Sequence, residues 1–262
     1  MVSQENSTGK PLADFNWLAL HHRAKLPERT TFAKRIATLE PKSVVDLGCA
    51  SGLWLEVLDQ FLPTECEFIG IDSDEKVLNM AVQRSSSWQR KTSFIQLDLE
   101  REASQIPPCD LTLAFNIFPY IKNLDLFIDI LSCRVPHGTL AIRQYDGASL
   151  RFGPMPTSKR QEIEVELRIA TENSKQFYHY DLDRTFKILR QSSYQISNYE
   201  FELFERSSPF TAEFLPYYKD TLLWTCQFLS KKSADYLHTW IDADPLMLNH
   251  YFYEVDLVAI LS

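Results

Sequence analysis

Four short apolar runs in this 262-residue sequence each lead to a polar side chain that can bind a ligand. Asp46 lies in VVDLGCASG, Asp72 in FIGIDSD, Asp98 in FIQLDLE and Asn116 in DLTLAFNIF. Carboxylate and amide oxygens accept hydrogen bonds from the hydroxyl and amino groups of small molecules. Because ligands of open α/β sheets bind outside the carboxyl ends of the strands, these positions predict one ligand site.

The turn after the first run consists of small residues, Gly48-Cys49-Ala50-Ser51-Gly52. A dinucleotide fingerprint would need glycine where Ala50 and Leu53 stand, and the sequence contains no phosphate-binding GxxxxGK[ST] motif. Small residues let a ligand approach the backbone closely, and Asp72 can accept both hydroxyls of a ribose. This pattern favours a nucleoside without pyrophosphate, such as S-adenosylmethionine.

In this order and spacing the four runs resemble the motifs of class I S-adenosylmethionine-dependent methyltransferases. VVDLGCASG matches the first motif, with Ala50 in place of its central glycine. The resemblance implies that Asp72 binds the ribose, that Asp98 bonds the adenine amino group and that Leu99 stacks on the ring. It implies these cofactor-binding residues: Asp46, Gly48, Cys49, Ala50, Gly52, Asp72, Ser73, Asp98, Leu99, Asn116, Ile117 and Phe118. Taken singly, the acidic residues and Asn116 also fit turns or helix N-caps.

Alternating strand and helix patterns predict the elements that position these residues. Short β-rich runs predict strands at 43–47, 67–71, 92–97, 110–115 and 138–144, and amphipathic stretches predict helices at 12–24, 28–39, 52–61, 74–86 and 123–134. The fold class is therefore α/β, a Rossmann-like, mostly parallel sheet with helices on both faces and extra N-terminal helices.

After residue 147 the pattern changes to helices at 157–173, 181–192, 211–229 and 231–241 and to strands at 194–204 and 251–261. We therefore divide the chain into an N-terminal helical segment, 1–40, a cofactor-binding domain, 41–205 and 249–262, and a helical insertion, 206–248, before the last strand. The insertion is rich in aromatic residues, which either line an acceptor pocket as a lid, form helix core or make a dimer face.

Methyl transfer requires an acceptor aligned with the sulfonium methyl group, and a base helps only when the acceptor is a hydroxyl or an amine. His179, Tyr145 and His21 are the candidate catalytic residues. Arg143 is a candidate for binding a substrate carboxylate, although it also suits a salt bridge to Asp146. Tyr178 and Tyr218 are the other candidates for substrate binding.

Composition limits the partners of the protein. A formal charge of −8 and a pI near 5.3 disfavour nucleic-acid binding, and five scattered cysteines without CxxC spacing predict no metal site. The sequence has no run of 18 apolar residues and its N-terminus lacks an apolar signal core, so we expect no membrane association and a cytoplasmic location.

The sequence thus predicts an enzyme that moves a methyl group from S-adenosyl-L-methionine to a small molecule or peptide by direct in-line displacement. The predicted acceptor is an oxygen, of a hydroxyl or a carboxylate, and a homodimer is an open expectation. One alternative is an aminopropyltransferase-like enzyme, which uses the decarboxylated cofactor. The other is a non-catalytic subunit that only binds S-adenosylmethionine.

Overall fold

The fold is described from a computed structural model for residues 14–136, 138–173, 180–244 and 246–262. Five parallel strands form the first part of one sheet, in the order β3-β2-β1-β4-β5. They are β1 (Ser43–Leu47), β2 (Glu67–Asp72), β3 (Thr92–Gln96), β4 (Leu111–Phe115) and β5 (Thr139–Tyr145).

Helices cover both faces of these strands. They are α1 (Phe15–Ala24), α2 (Leu26–Ala37), α3 (Leu53–Asp59), α4 (Glu75–Ser85), α5 (Leu99–Glu102) and α6 (Leu124–Arg134). Adjacent strand residues point to opposite faces, so Val44 belongs to one core with Phe32 and Leu55, and Val45 belongs to another with Ile128. The β-rich runs are apolar throughout because both of their faces are buried.

The rest of the chain extends the sheet with antiparallel strands. β8 (Tyr251–Leu261) lies between β5 and β7 (Ile196–Ser207), and the short β6 (Phe152–Gly153) also pairs with β8. Helices α7 (Thr157–Asn173) and α8 (Leu182–Gln191) precede β7, and α9 (Leu215–Cys226) and α10 (Lys231–Asp242) connect β7 to β8. Tyr217 and Leu222 of α9 share a core with Ala24 of α1.

The predicted fold class is confirmed, with a mostly parallel sheet, helices on both faces, N-terminal helices and a helical excursion before the last strand. Sequence patterns missed α5 and β6, which are too short to show a period. They also placed Pro27 between two helices, whereas it lies in the first turn of α2, where no backbone N–H donor is needed. The proposed domain boundaries stay a prediction.

Candidate functional site

The turn after β1 has a backbone that glycine accommodates best. Gly48 and Gly52 have positive φ angles of +65° and +76°, and Ala50 between them has +47°. A Cβ atom added to Gly48 would lie 2.7 Å from Cγ2 of Ile117, which follows β4. The missing side chain therefore lets the ends of β1 and β4 approach each other.

Asp72 at the end of β2 holds this turn in place. Its Oδ2 accepts a hydrogen bond from the N–H of Ala50 at 2.9 Å, and its Oδ1 accepts one from the N–H of Asp74 at 3.0 Å. Each carboxylate oxygen has a further lone pair for a ligand hydroxyl. Burial raises the pKa of Asp72, and the backbone donors oppose this rise. The carboxylate is therefore fixed in position before any ligand binds.

The left-handed backbone of Ala50 leads to a prediction for Ala50→Gly. Because an L-residue in this conformation costs about 1 kcal/mol and glycine does not, we expect the variant to be more stable by about 0.5 kcal/mol. The free energy of unfolding in urea measures the change. Ala234→Gly in α10 is the control, and a helical glycine should lower stability by about 1 kcal/mol. A loss of stability in both variants would contradict the prediction.

Asp98 and Asn116 occupy the ends of β3 and β4. Asp98 caps α5, because its Oδ1 accepts from the N–H of Glu100 at 3.0 Å and its own N–H donates to Glu102 Oε2 at 2.9 Å. Asn116 has a φ angle of +57°, and its Oδ1 accepts from the N–H of Tyr145 at 3.3 Å. The N-cap interpretation is thus correct for Asp98, and the two side chains are held towards the same edge of the sheet.

A cavity of about 190 Å³ lies at this edge. It has more than ten times the space that one water molecule needs, so it can hold a larger ligand. Nine of the residues implied by the family resemblance line it: Gly48, Cys49, Ala50, Asp72, Ser73, Asp98, Leu99, Asn116 and Ile117. The structure therefore brings the four quoted motifs together around one space.

The other three implied residues do not line this cavity. Gly52 is the N-cap residue of α3, and an added Cβ atom there would lie 3.4 Å from Cβ of Ala81 in α4. Phe118, 1% exposed, lies in the core beneath the site, because the short helix after β4 turns its ring inwards. Asp46 is 2% exposed. All three residues are buried without lining the cavity.

Asp46 gives a prediction for pH dependence. Burial and the nearby Asp72 raise its pKa to about 8, and its Oδ2 has no hydrogen-bond partner in the described part of the chain. Between about pH 4 and pH 8 the folded protein therefore holds a proton that the unfolded chain has lost, so stability falls as pH rises. In Asp46→Asn we expect this fall to be smaller by about 2 kcal/mol or more.

Urea unfolding from pH 5 to pH 8.5 measures this difference. Asp220→Asn, an exposed position of α9, serves as the control and should follow the wild-type pH profile. An Asp46→Asn variant whose stability falls with pH as steeply as that of the wild type would refute the assignment.

Helix α1 closes one side of the cavity with Trp17 and His21. The imidazole of His21 stacks on Tyr217 of α9 at a centroid distance of 5.2 Å, and its Nε2 has no hydrogen-bond partner among the described residues. Burial, together with Lys25 and Arg29, lowers the pKa of His21 well below its usual value. His21 therefore lies at the site, as predicted, but as a neutral ring that takes up a proton poorly.

Tyr145 ends β5 and also lines the cavity. Its hydroxyl is hydrogen-bonded to Tyr180, which is bonded in turn to Tyr120. Burial raises the pKa of all three phenols well above the usual value. Sequence analysis did not select Tyr120 or Tyr180 as site residues, although Tyr120 belongs to the fourth motif, DLTLAFNIFPYI at 110–121.

The remaining predicted residues lie elsewhere. Arg143 pairs with Asp256 at 2.7 Å and Glu202 at 2.8 Å, not with Asp146, because β8 and β7 bring these carboxylates beside β5. Tyr218 is fully buried and its hydroxyl contacts His250 Nδ1 at 2.7 Å. His179 and Tyr178 are outside the described residues. No described residue of the insertion lines the cavity, because its rings pack against α1 and β8 instead.

A buried charge cluster lies behind α1 and consists of Lys25, Arg143, Arg151, Glu254 and Asp256. Glu254 pairs with Lys25 and, at 2.6 Å, with Arg151. Asp256 pairs with Arg143. Burial by itself would raise the pKa of Asp256, but the positive charges of Lys25 and Arg143 lower it. The cluster ties the segment between α1 and α2 to β8.

Comparisons with known proteins agree with this geometry. Residues 44–136 match the family model of a methyltransferase domain. Trans-aconitate 2-methyltransferases from Acidovorax sp. (strain JS42) and Acidovorax ebreus (strain TPSY) are 29% identical to the chain over 113 residues. That match covers 43% of this chain and 42% of each relative, so the similarity spans less than half of these proteins.

Solved structures share the fold over a larger part of the chain. A Bacillus halodurans protein, BH2331, is 11% identical with a TM-score of 0.55, covering 88% of this chain and 97% of its own. The Mycobacterium tuberculosis cyclopropane synthase MmaA2 is 11% identical with a TM-score of 0.54, and the match covers 90% of this chain and 84% of that protein.

No helix in the described ranges combines the length and apolar character needed to cross a bilayer. The predicted methyltransferase family and its cofactor, S-adenosylmethionine, are confirmed for the domain at residues 44–136.

Proposed function

We propose that this chain, a class I methyltransferase through its domain at residues 44–136, transfers a methyl group from S-adenosylmethionine to a carboxylate oxygen of a small molecule or peptide. In this reaction a carbon–oxygen bond to the acceptor forms while the carbon–sulfur bond of the sulfonium breaks. The products are a methyl ester and S-adenosylhomocysteine. No proton has to be removed, because a carboxylate is already deprotonated near neutral pH.

The main support for this proposal is the protonation state of two cavity residues, His21 and Tyr145. Tyr145 ends β5 and His21 lies on α1, so both line the cavity from elements other than those that carry the cofactor motifs. The low pKa of His21 and the high pKa of Tyr145 leave both groups neutral, so neither is set to accept a proton near pH 7. The described carboxylates of the cavity wall lie at or just after the ends of β2 and β3, where the adenosine is predicted to bind: Asp72, Asp74, Asp98 and Glu100. This arrangement favours an acceptor that needs no base.

The same side chains are suited to positioning such an acceptor. The phenol of Tyr145 is neutral and is therefore a hydrogen-bond donor, the type of group that a carboxylate accepts from, and Trp17 and Ile121 provide an apolar wall that excludes water. The partial similarity to trans-aconitate 2-methyltransferases supports an acid as the acceptor. A hydroxyl acceptor remains the second possibility within the predicted O-methylation.

The test is incubation with S-adenosylmethionine and a panel of carboxylic acids, including trans-aconitate and short peptides, beside the corresponding alcohols and phenols. Mass spectrometry detects S-adenosylhomocysteine and the methylated product. Mild alkali cleaves a methyl ester and leaves a methyl ether intact, so it identifies the acceptor atom. Methylthioadenosine, formed from the decarboxylated cofactor, would instead indicate aminopropyl transfer.

His21→Gln separates the proposed role of this residue from that of a base. We expect the variant to retain activity on a carboxylic acid within about tenfold, because no proton transfer is lost. Methyl ethers as the main products, together with a loss of more than about a hundredfold in His21→Gln, would contradict the proposal.

A further inference from the structure

Three tyrosines from different elements meet on one side of the ligand cavity. Tyr120 follows β4, Tyr145 ends β5 and Tyr180 lies just before α8, and all three line the cavity. The ring centroids of Tyr145 and Tyr180 are 5.0 Å apart, and hydrogen bonds connect Tyr180 to both other phenols. The N–H of Gly147 donates to the carbonyl oxygen of Tyr180 at 2.9 Å, which fixes Tyr180 beside the end of β5. The three phenols therefore form one connected group.

The hydrogen bonds within this group leave one donor unused. Each phenol has one O–H proton, so two hydrogen bonds among three phenols use two protons and leave one for another partner. Burial has the largest effect on the three pKa values and raises all of them. Hydrogen bonding opposes this rise in the pKa of Tyr145 and adds to it in that of Tyr120, as expected when Tyr120 donates to Tyr180 and Tyr180 to Tyr145. The remaining proton therefore belongs to Tyr145.

The two ends of the group differ in their electrostatic surroundings. Asp72 is close enough to Tyr120 to raise the pKa of its phenol in addition to the effect of burial, so a second carboxylate there would be repelled. At the other end, the guanidinium carbon of Arg151 lies 5.3 Å and Nζ of Lys25 lies 5.9 Å from the ring centroid of Tyr145. An anion is therefore better placed at the Tyr145 end.

The buried charge cluster behind α1, together with Arg29, carries more positive than negative charge. Its cations are Lys25, Arg29, Arg143 and Arg151, and the carboxylates that act on them are Asp46, Glu202, Glu254 and Asp256. Burial and the nearby Asp72 raise the pKa of Asp46 to about 8, so this group is largely uncharged at neutral pH. One positive charge is therefore in excess, and an anion bound at Tyr145 would compensate it.

We propose that the three tyrosines act as one unit that presents a single O–H donor, at Tyr145, to the acceptor carboxylate. Tyr120 and Tyr180 are positioning residues that fix the direction of this hydroxyl, and the excess positive charge selects an acid over its amide. One carboxylate oxygen accepts from Tyr145, and the other is left to attack the methyl group. The inference rests on the proposed function, because it names how the same site selects its acceptor.

Steady-state kinetics test the inference with the panel acid that the wild type methylates fastest, beginning with trans-aconitate. In Tyr145→Phe we expect KM for the acid to rise at least about tenfold and kcat to change less than about threefold, because a hydrogen bond to a charged group is lost in binding. Tyr180→Phe should raise KM by about threefold to tenfold, since Tyr145 keeps its hydroxyl but loses its orientation. The double variant should have the KM of Tyr145→Phe alone.

Three controls accompany these variants. Tyr199→Phe removes an exposed phenol of β7 and should change neither KM nor kcat. The affinity for S-adenosylhomocysteine, measured by calorimetry, should stay within about threefold in every variant and shows that each is folded. The wild type should bind the acid at least about tenfold more tightly than its primary amide, and Tyr145→Phe should reduce this preference.

An unchanged KM in Tyr145→Phe, or KM increases that multiply in the double variant, would overturn the inference while methyl esters remain the products. A parallel loss of S-adenosylhomocysteine affinity would overturn it too, because it would show general damage to the cavity. If Tyr145→Phe does not fold, Tyr180→Phe decides by the same rise in KM at constant kcat. A wild type that forms no methyl ester would instead refute the proposed function, and this inference with it.

Discussion

Glu254→Gln is expected to lower the free energy of unfolding by about 3 to 5 kcal/mol, the largest effect on stability that we predict. Glu254 is 1% exposed and pairs with Lys25 and Arg151, and Tyr217 donates to it at 3.3 Å. Removing its charge leaves the buried Arg151 without an anion among the described residues and leaves Lys25 with only Asp256, at 3.4 Å. Urea unfolding monitored by tryptophan fluorescence measures the loss.

Two further variants make this prediction specific. Glu205→Gln, an exposed position of β7, removes the same charge from the surface and should change stability by less than about 0.5 kcal/mol. Lys25→Met combined with Glu254→Gln should destabilise less than the two single changes added together, because they share one interaction. Strict additivity, or a small loss in Glu254→Gln alone, would show that the cluster does not hold the segment between α1 and α2 to β8.

Asp72→Ala is expected to weaken binding of S-adenosylhomocysteine by about 2 to 3 kcal/mol, or thirtyfold to more than a hundredfold. The change removes the proposed acceptor of the ribose hydroxyls. It also removes the hydrogen bond that fixes Ala50, so the glycine turn loses a support. Calorimetry at constant pH measures the affinity, and Asp125→Ala, an exposed aspartate of α6, is the control.

An analogue of the ligand assigns the contact to the ribose. The 2′-deoxy form of S-adenosylhomocysteine should bind the wild type more weakly than the parent compound, and Asp72→Ala should no longer distinguish the two. If the variant keeps the wild-type preference for the 2′-hydroxyl, Asp72 acts on the turn and not on the ribose.

Local sequence patterns were sufficient for the fold and for the gathering of the four motifs around one cavity. Val44 and Val45 face different cores, and a strand buried on both sides must be apolar throughout, which the sequence displays directly. The motifs around Asp72 and Asp98 are also local, because each residue follows its own strand. Parallel strands bring such ends to one edge, so their meeting place was predictable.

The contacts of Arg143 show where local patterns fail. Asp146 is the near neighbour in sequence, but Asp256 of β8 lies opposite Tyr145 in the antiparallel register, and Glu202 of β7 lies opposite Asp256. Nothing in a single sequence fixes the register between strands that are far apart in the chain.

The sequence by itself thus determined the strands, the helices, the glycine turn and the kind of ligand, because each depends on neighbours within a few residues. Only the tertiary structure decided which side chains are charged and what they contact. His21 is a weak base because α9, Lys25 and Arg29 bury it among cations, and Asp46 keeps a proton because it is buried near Asp72. A pKa depends on the solvent and charges around a group, and packing alone sets these.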